Sequence, residues 1–108
     1  MTVITPHADH ATLINVFTVE PENAEQLAAL LTEATEDVMQ YVDEFVSANI
    51  HVSTDGTRVV NYAQWRDAAA MQAMQQNPTA REHMGKCAEL AIGFEPHLYT
   101  VESVHPAP

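Results

Sequence analysis

With 108 residues, 46% of them apolar, the chain is sized for one domain around a single core and is not composed like a disordered segment. Its formal net charge is −11 and its only fixed cations are Arg58, Arg66, Arg81 and Lys86, a balance that repels phosphate backbones and anionic lipid and so argues against nucleic-acid and membrane partners. No apolar run is long enough to span a bilayer, and Met1-Thr2-Val3-Ile4-Thr5-Pro6-His7 lacks the basic and apolar regions of a signal peptide. Cys87 stands alone, so no internal disulfide forms, and a reducing cytoplasm is the expected setting.

Residues 1–10 read as an N-terminal tail broken by Pro6, on which His7 and His10 are solvated rather than metal-bound. The β-branched run Leu13–Val19 reads as the first strand, ended by Pro21. Asn23 followed by Gln26 fits a capping box, and Leu27, Leu30, Leu31, Ala34, Val38, Tyr41 and Val42 recur at helical spacing, which predicts an amphipathic helix of about five turns. A second strand over Phe45–Ser53 would point Val46, Ala48, Ile50 and Val52 to one face and Phe45, Ser47, Asn49 and His51 to the other.

Asp55-Gly56 signals a tight hairpin, because both residues tolerate the positive φ of a type I′ turn. The next strand carries Asn61 and Trp65 four residues apart, hence on one face and roughly 13 Å apart. An amide and an indole N–H on an otherwise apolar face need partners, and a ligand is one kind of partner. Asp67 is the expected N-cap of a short helix over Ala68–Gln76. Asn77 caps another with Pro78 at its first position, its inner stripe being Ala80, His83, Met84, Cys87, Leu90 and Ala91, and Gly93 is the expected stop. A last strand is expected over His97–Val104, with Pro96 marking a sheet edge, before the tail Pro106-Ala107-Pro108.

The order β-α-β-β-α-β, its second helix broken in two, is the ferredoxin-like plan of α+β proteins: an antiparallel sheet with both helices on one face and the first and third strands central. One domain over residues 11–105 is expected. Asn15 would then lie near Asn61. Apolar residues on both strand faces (Val16 and Phe17, Val59 and Val60) suggest that a second copy covers the open face, giving a homodimer of the dimeric α+β barrel type.

These segments resemble the antibiotic biosynthesis monooxygenase family. The likeness runs from about Leu13 to Val104 and rests on Ile14–Val19, on Val60-Asn61-Tyr62-Ala63-Gln64-Trp65, and on Asn77-Pro78 followed by His83. The Asn-Tyr-Ala-Gln-Trp run after Ser-Thr-Asp-Gly-Thr looks most like the anthrone oxygenases of aromatic polyketide pathways. That resemblance implies catalysis with no cofactor and no metal, on a small aromatic substrate and O2. It implies that Asn61 bonds the substrate oxygen, that Trp65 steadies a peroxide and stacks on the ring, and that Asn15 assists. Phe17, Met71, Met74 and Met84 would line the substrate pocket. Some relatives carry a tyrosine and an arginine where Met71, Met74 and Met84 stand here, so a proton relay through such a pair is not implied.

Each of these residues also has a structural alternative. Trp65 can be plain core, Asn15 and Asn61 can satisfy neighbouring backbone, and the methionines can be ordinary helix-to-sheet packing. His83 has three readings: a structural histidine, a general base of the type suited to taking a carbon-bound proton, or, with Asn15, the iron-side pair of the superfamily's haem-degrading members. A non-catalytic ligand-binding protein of the same fold is the remaining alternative.

Overall fold

The β-branched run behind the first expected strand extends two residues further back, so that β1 spans Ala11–Val19. In the computed structural model, which describes all of residues 1–108, it is followed by α1 (Ala24–Asp37), β2 (Phe45–Val52), β3 (Arg58–Trp65), α2 (Ala68–Gln75), α3 (Pro78–Leu90) and β4 (Ala91–Tyr99). The sheet order is β2-β3-β1-β4, antiparallel throughout, with β1 and β3 central as the ferredoxin-like plan requires. No helix is long and apolar enough to cross a membrane.

Leu27, Leu31 and Ala34 put one stripe of α1 into the core, as their spacing foretells. The helix is shorter than the pattern suggests. Val38 leaves helical geometry at φ −127°, ψ −62°, and a 3-10 turn over Met39–Tyr41 carries the chain on. The turn drives Met39 into the core and leaves Tyr41 75% exposed, although Tyr41 falls on the apolar stripe of a continuous helix. Asn23 makes no side-chain cap; a 3-10 turn over Pro21–Asn23 leads into α1 instead of a capping box.

The other two caps form as read. Asp67 accepts from Ala70 N at 2.8 Å, and Asn77 accepts from Thr79 N and Ala80 N at 2.9 and 3.1 Å. A bulge between Phe45 and Ser47 shifts the β2 register, so Phe45 turns to the helix side with Ala48 and Ile50, away from Ser47 and Asn49. The β2–β3 loop is not a type I′ turn. Only Gly56 has positive φ, at +74°; Gly56 N donates to Ser53 O, closing a turn with glycine at its fourth position.

Gly93 stops nothing. The chain passes straight from α3 into β4 at Ala91, six residues ahead of the expected strand start, and Gly93 and Pro96 are strand residues opposite Thr18 and Asn15. Pro96 is tolerated because β4 is an edge, the part of that expectation that stands.

All helices lie on one face of the sheet. Two buried clusters fill the space between: Phe17, Val19, Leu27, Leu31, Val59 and Cys87 in one, Ala34, Met39, Ala63, Trp65, Met71, Met74 and Ala80 in the other. The opposite face is not bare. Residues ahead of β1 lie against it: Asn49 Nδ2 donates to Thr2 Oγ1 (2.6 Å), Gln64 Nε2 to Val3 O (2.8 Å), and His7 N to Val101 O (2.8 Å). Thr12, Ser47 and Gln64 are buried beneath them, Ser47 Oγ donating to Gln64 Oε1.

Candidate active site

Residues on the helix side of the sheet form rows across the strands. One row reads Pro96, Asn15, Asn61, Ile50 and the next Leu98, Leu13, Ala63, Ala48. Asn15 and Asn61 are therefore direct cross-strand partners, whose Cβ atoms sit about 5 Å apart in such pairs. Trp65 lies four residues on, at the end of β3, its ring edge-on to Phe45 with centroids 5.4 Å apart. Small residues face this part of the sheet. Ala63 in the floor and Ala80 at the start of α3 leave space where larger side chains would close it, and a cavity of about 220 Å³ results.

The cavity wall is mostly apolar, with Leu13, Phe17, Leu31, Met39, Met74, Met84, Phe94 and Pro96 around it. Its floor holds Asn15, Asn61 and Trp65. Asn15 Oδ1, Asn61 Oδ1 and Trp65 Nε1 are the buried side-chain polar atoms of the chain that have no hydrogen-bond partner, and all three belong to this floor. A buried polar atom without a partner costs about 1–3 kcal/mol, so three at one place indicate a site shaped for a guest rather than a finished core. A half-turn about the terminal bond exchanges amide oxygen for NH2, so each asparagine can offer an acceptor or two donors; the indole offers a donor alone. The floor can thus hydrogen-bond both a hydroxyl and an oxyanion.

Of the residues singled out by sequence, Asn15, Asn61, Trp65, Phe17, Met74 and Met84 meet around this one space. Met71 does not; it is buried in the core beside Trp65 and Met74. His83 does not line the cavity either, being half-buried on another side of α3. The cavity lining therefore gives no support to the reading that pairs His83 with Asn15 about a haem iron. His51, on the face turned away from the helices, is exposed, with its Nδ1 3.2 Å from Asn49 O. Cys87 is fully buried among aliphatic side chains of the other cluster, and burial pushes its thiol up to about 11, so it is a packing residue and not a nucleophile.

Phe94, Pro96 and Gln75 line the cavity without having been marked in the sequence, and so does Arg81, noted there only as one of four fixed cations. The first two were missed with the true start of β4; placing a strand immediately after the α3 stripe would have set them beside Phe17 and Asn15. Arg81 carried a signal of its own, three residues before Met84 and so on the same helical face. It also places an arginine at the pocket in a helical region whose expected lining residues were Met71, Met74 and Met84.

Three comparisons bear on this geometry. The chain is 43% identical over 91 residues to tetracenomycin-F1 monooxygenase of Streptomyces glaucescens, an overlap of 84% of this chain and 81% of that protein. Its backbone matches a monooxygenase from the gene ActVA-Orf6 of Streptomyces coelicolor, solved with nanaomycin D, at a TM-score of 0.80 and 29% identity, over 90% of this chain and 92% of the other. It also matches the fold of SnoaB, a cofactor-independent oxygenase from Streptomyces nogalater, at a TM-score of 0.77 and 23% identity, over 93% and 100% of the two chains. Residues 11–86, from the start of β1 into α3, match the model of one protein family. The chain belongs to that family, antibiotic biosynthesis monooxygenase, and is an oxidoreductase of the monooxygenase class.

Proposed function

We propose that this protein is a polyketide monooxygenase that oxidises an anthrone-type polycyclic aromatic to a quinone with O2 and without a cofactor. The observation that carries the reading is the cavity floor, where two amides and an indole N–H wait without partners under apolar walls. The likeness to tetracenomycin-F1 monooxygenase supports the choice of substrate class.

The chemistry asks little of the protein beyond placement. The acidic ring CH2 of an anthrone loses a proton and becomes an enolate whose charge rests on the ring oxygen. The enolate gives one electron to O2, and the two radicals recombine to a carbon-bound peroxide. The peroxide anion takes back a proton in place of the one released to solvent at the start, and loss of water then leaves the second carbonyl, so that CH2 and O2 become C=O and H2O. The substrate is the reductant throughout.

Asn61, in the middle of β3, donates from its amide to the enolate oxygen as charge develops, and Asn15 beside it holds the same oxygen or its neighbour. Trp65 Nε1 donates to the peroxide while Phe17, Met74 and Met84 hold the ring plane. Donors fixed in a dry site act more strongly than water does, because they need no reorganisation as the charge appears. Two copies of the chain associate through the open sheet face, each keeping its own cavity.

The test is oxidation of an anthrone by the protein in air with a chelator present. Quinone should form well above the rate in buffer, and Asn61→Ala should lower kcat by about two orders of magnitude while the far-ultraviolet spectrum is unchanged. A rate equal to buffer, or an unaltered kcat in both Asn61→Ala and Trp65→Phe, would falsify the assignment.

A further inference from the structure

The cavity has a second polar end. Gln75 of α2 and Arg81 of α3 line it from the helix side, and both are exposed, whereas the amides and indole of the floor are buried. Arg81 is the only charged residue of the lining. It has no acid to answer it: the ion pairs of the chain are Arg66 with Glu44 and His7 with Glu102, and positions three and four away on either side are Pro78, Met84, Asn77 and Gly85.

Its place on the helix is also unfavourable. Asn77 is the N-cap and Pro78 the first helical residue, so Arg81 stands at the end of the first turn. Cations are disfavoured there by the positive end of the helix dipole, at a cost of about 0.3–1 kcal/mol. A local rule broken without a compensating contact inside the chain points to a contact outside it.

The need for one is plain from the charge. With a net charge of −11, the protein repels an anionic molecule unless positive potential is placed where that molecule binds. Arg81 and the amino end of α3 together supply it at the cavity rim. One guanidinium matches one carboxylate in charge and in bidentate geometry, whereas a phosphate dianion would bring more charge than the rim answers.

We infer that the natural substrate carries an ionised carboxyl group on the ring edge away from the oxidised carbon, and that Arg81 is the specificity-determining residue that reads it. This rests on the cavity being the substrate site, as proposed above. The ring then spans the space with one edge on Asn15, Asn61 and Trp65 and its carboxylate at the rim, and that fixes which ring carbon meets O2.

Trp65 is the only tryptophan of the chain and lies in the floor, so its emission reports occupancy directly. Anthraquinone-2-carboxylate and its neutral carboxamide should both quench it, the carboxylate with about tenfold or greater affinity at low salt. Arg81→Gln should bring the ratio of the two affinities towards one, and Arg81→Lys should keep part of it. Lys86→Gln, which removes the same charge from α3 outside the cavity lining, should leave the ratio alone. Equal affinities in the unaltered protein, or an equal fall in the ratio for Arg81→Gln and Lys86→Gln, would overturn the role of Arg81 and leave the cavity reading standing. Failure of both quinones to quench Trp65 would overturn the two together.

Discussion

Asn15 and Asn61 set a polar burden in the core that the proposed reaction would put to use. Each holds a buried oxygen without a partner, on strands that would pair as well with leucine or valine. Asn15→Leu removes that burden and fills part of the cavity. Its melting temperature should therefore stay level or rise, by about 4–8 °C for each kcal/mol gained, while quinone formation falls. A melting temperature several degrees lower would make Asn15 a structural residue and weaken its place at the substrate. Trp65 is a mixed case. Its ring is 1% exposed and packs on Phe45, so its indole N–H comes to the cavity on a side chain the core also requires.

At the level of elements, the β2–β3 loop is held by one carboxylate. Asp55 Oδ1 accepts from Thr57 Oγ1, Ser53 Oγ and Thr57 N at 2.7, 2.8 and 3.0 Å. The Thr57 hydroxyl most of all, then its backbone N–H and Ser53, hold the Asp55 carboxyl down to about 2 from an ordinary 3.8. Because the folded form favours ionised Asp55, the benefit is full above pH 3.8 and fades as pH falls towards 2. Asp55→Ala should thus melt lower than the parent at pH 7, and the gap should shrink steadily between pH 4 and pH 2; a gap independent of pH would show that the loop is held by something else.

Signals of this local kind were the legible part of the fold. The caps Asp67 and Asn77, the run of β1 and the stripe of α1 each depend on neighbours in sequence. What could not be read depends on distant chain. Gly93 and Pro96 look like punctuation, and pairing with β1 overrides that preference. Whether Arg81 or His83 faces the cavity is decided by the rotation of α3 about its axis, which Ala80 and Cys87 fix by packing inward. Asn15 opposite Asn61 was within reach, because the ferredoxin-like plan makes their strands neighbours. The empty volume between them and the helices was not, because it depends on side-chain sizes contributed by six strands and helices and a 3-10 turn.

For the molecule as a whole, the sheet face turned away from the helices is the open question of surface. Its middle rows place Ile14 and Val16 beside Tyr62 and Val60, all half-buried, with the N-terminal residues covering only one end. Light scattering during size exclusion should give twice the 11.9 kDa of one chain, and Val16→Lys should shift the mass towards the single chain. Added salt should tighten the pair, since two strongly acidic bodies repel less when screened. A single-chain mass at micromolar concentration would refute the association.

The polar floor of the cavity belongs to the two innermost strands, hydrogen-bonded on both sides, while much of its wall belongs to the helices, the 3-10 turn after α1 and an edge strand. Admission of a stiff polycycle can therefore be accomplished by the periphery parting and returning, with the hydrogen-bonding groups stationary beneath it. Speed of entry and fidelity of alignment are consequently separable in this architecture: substitutions along α2 can alter how fast a guest arrives without altering how it is held.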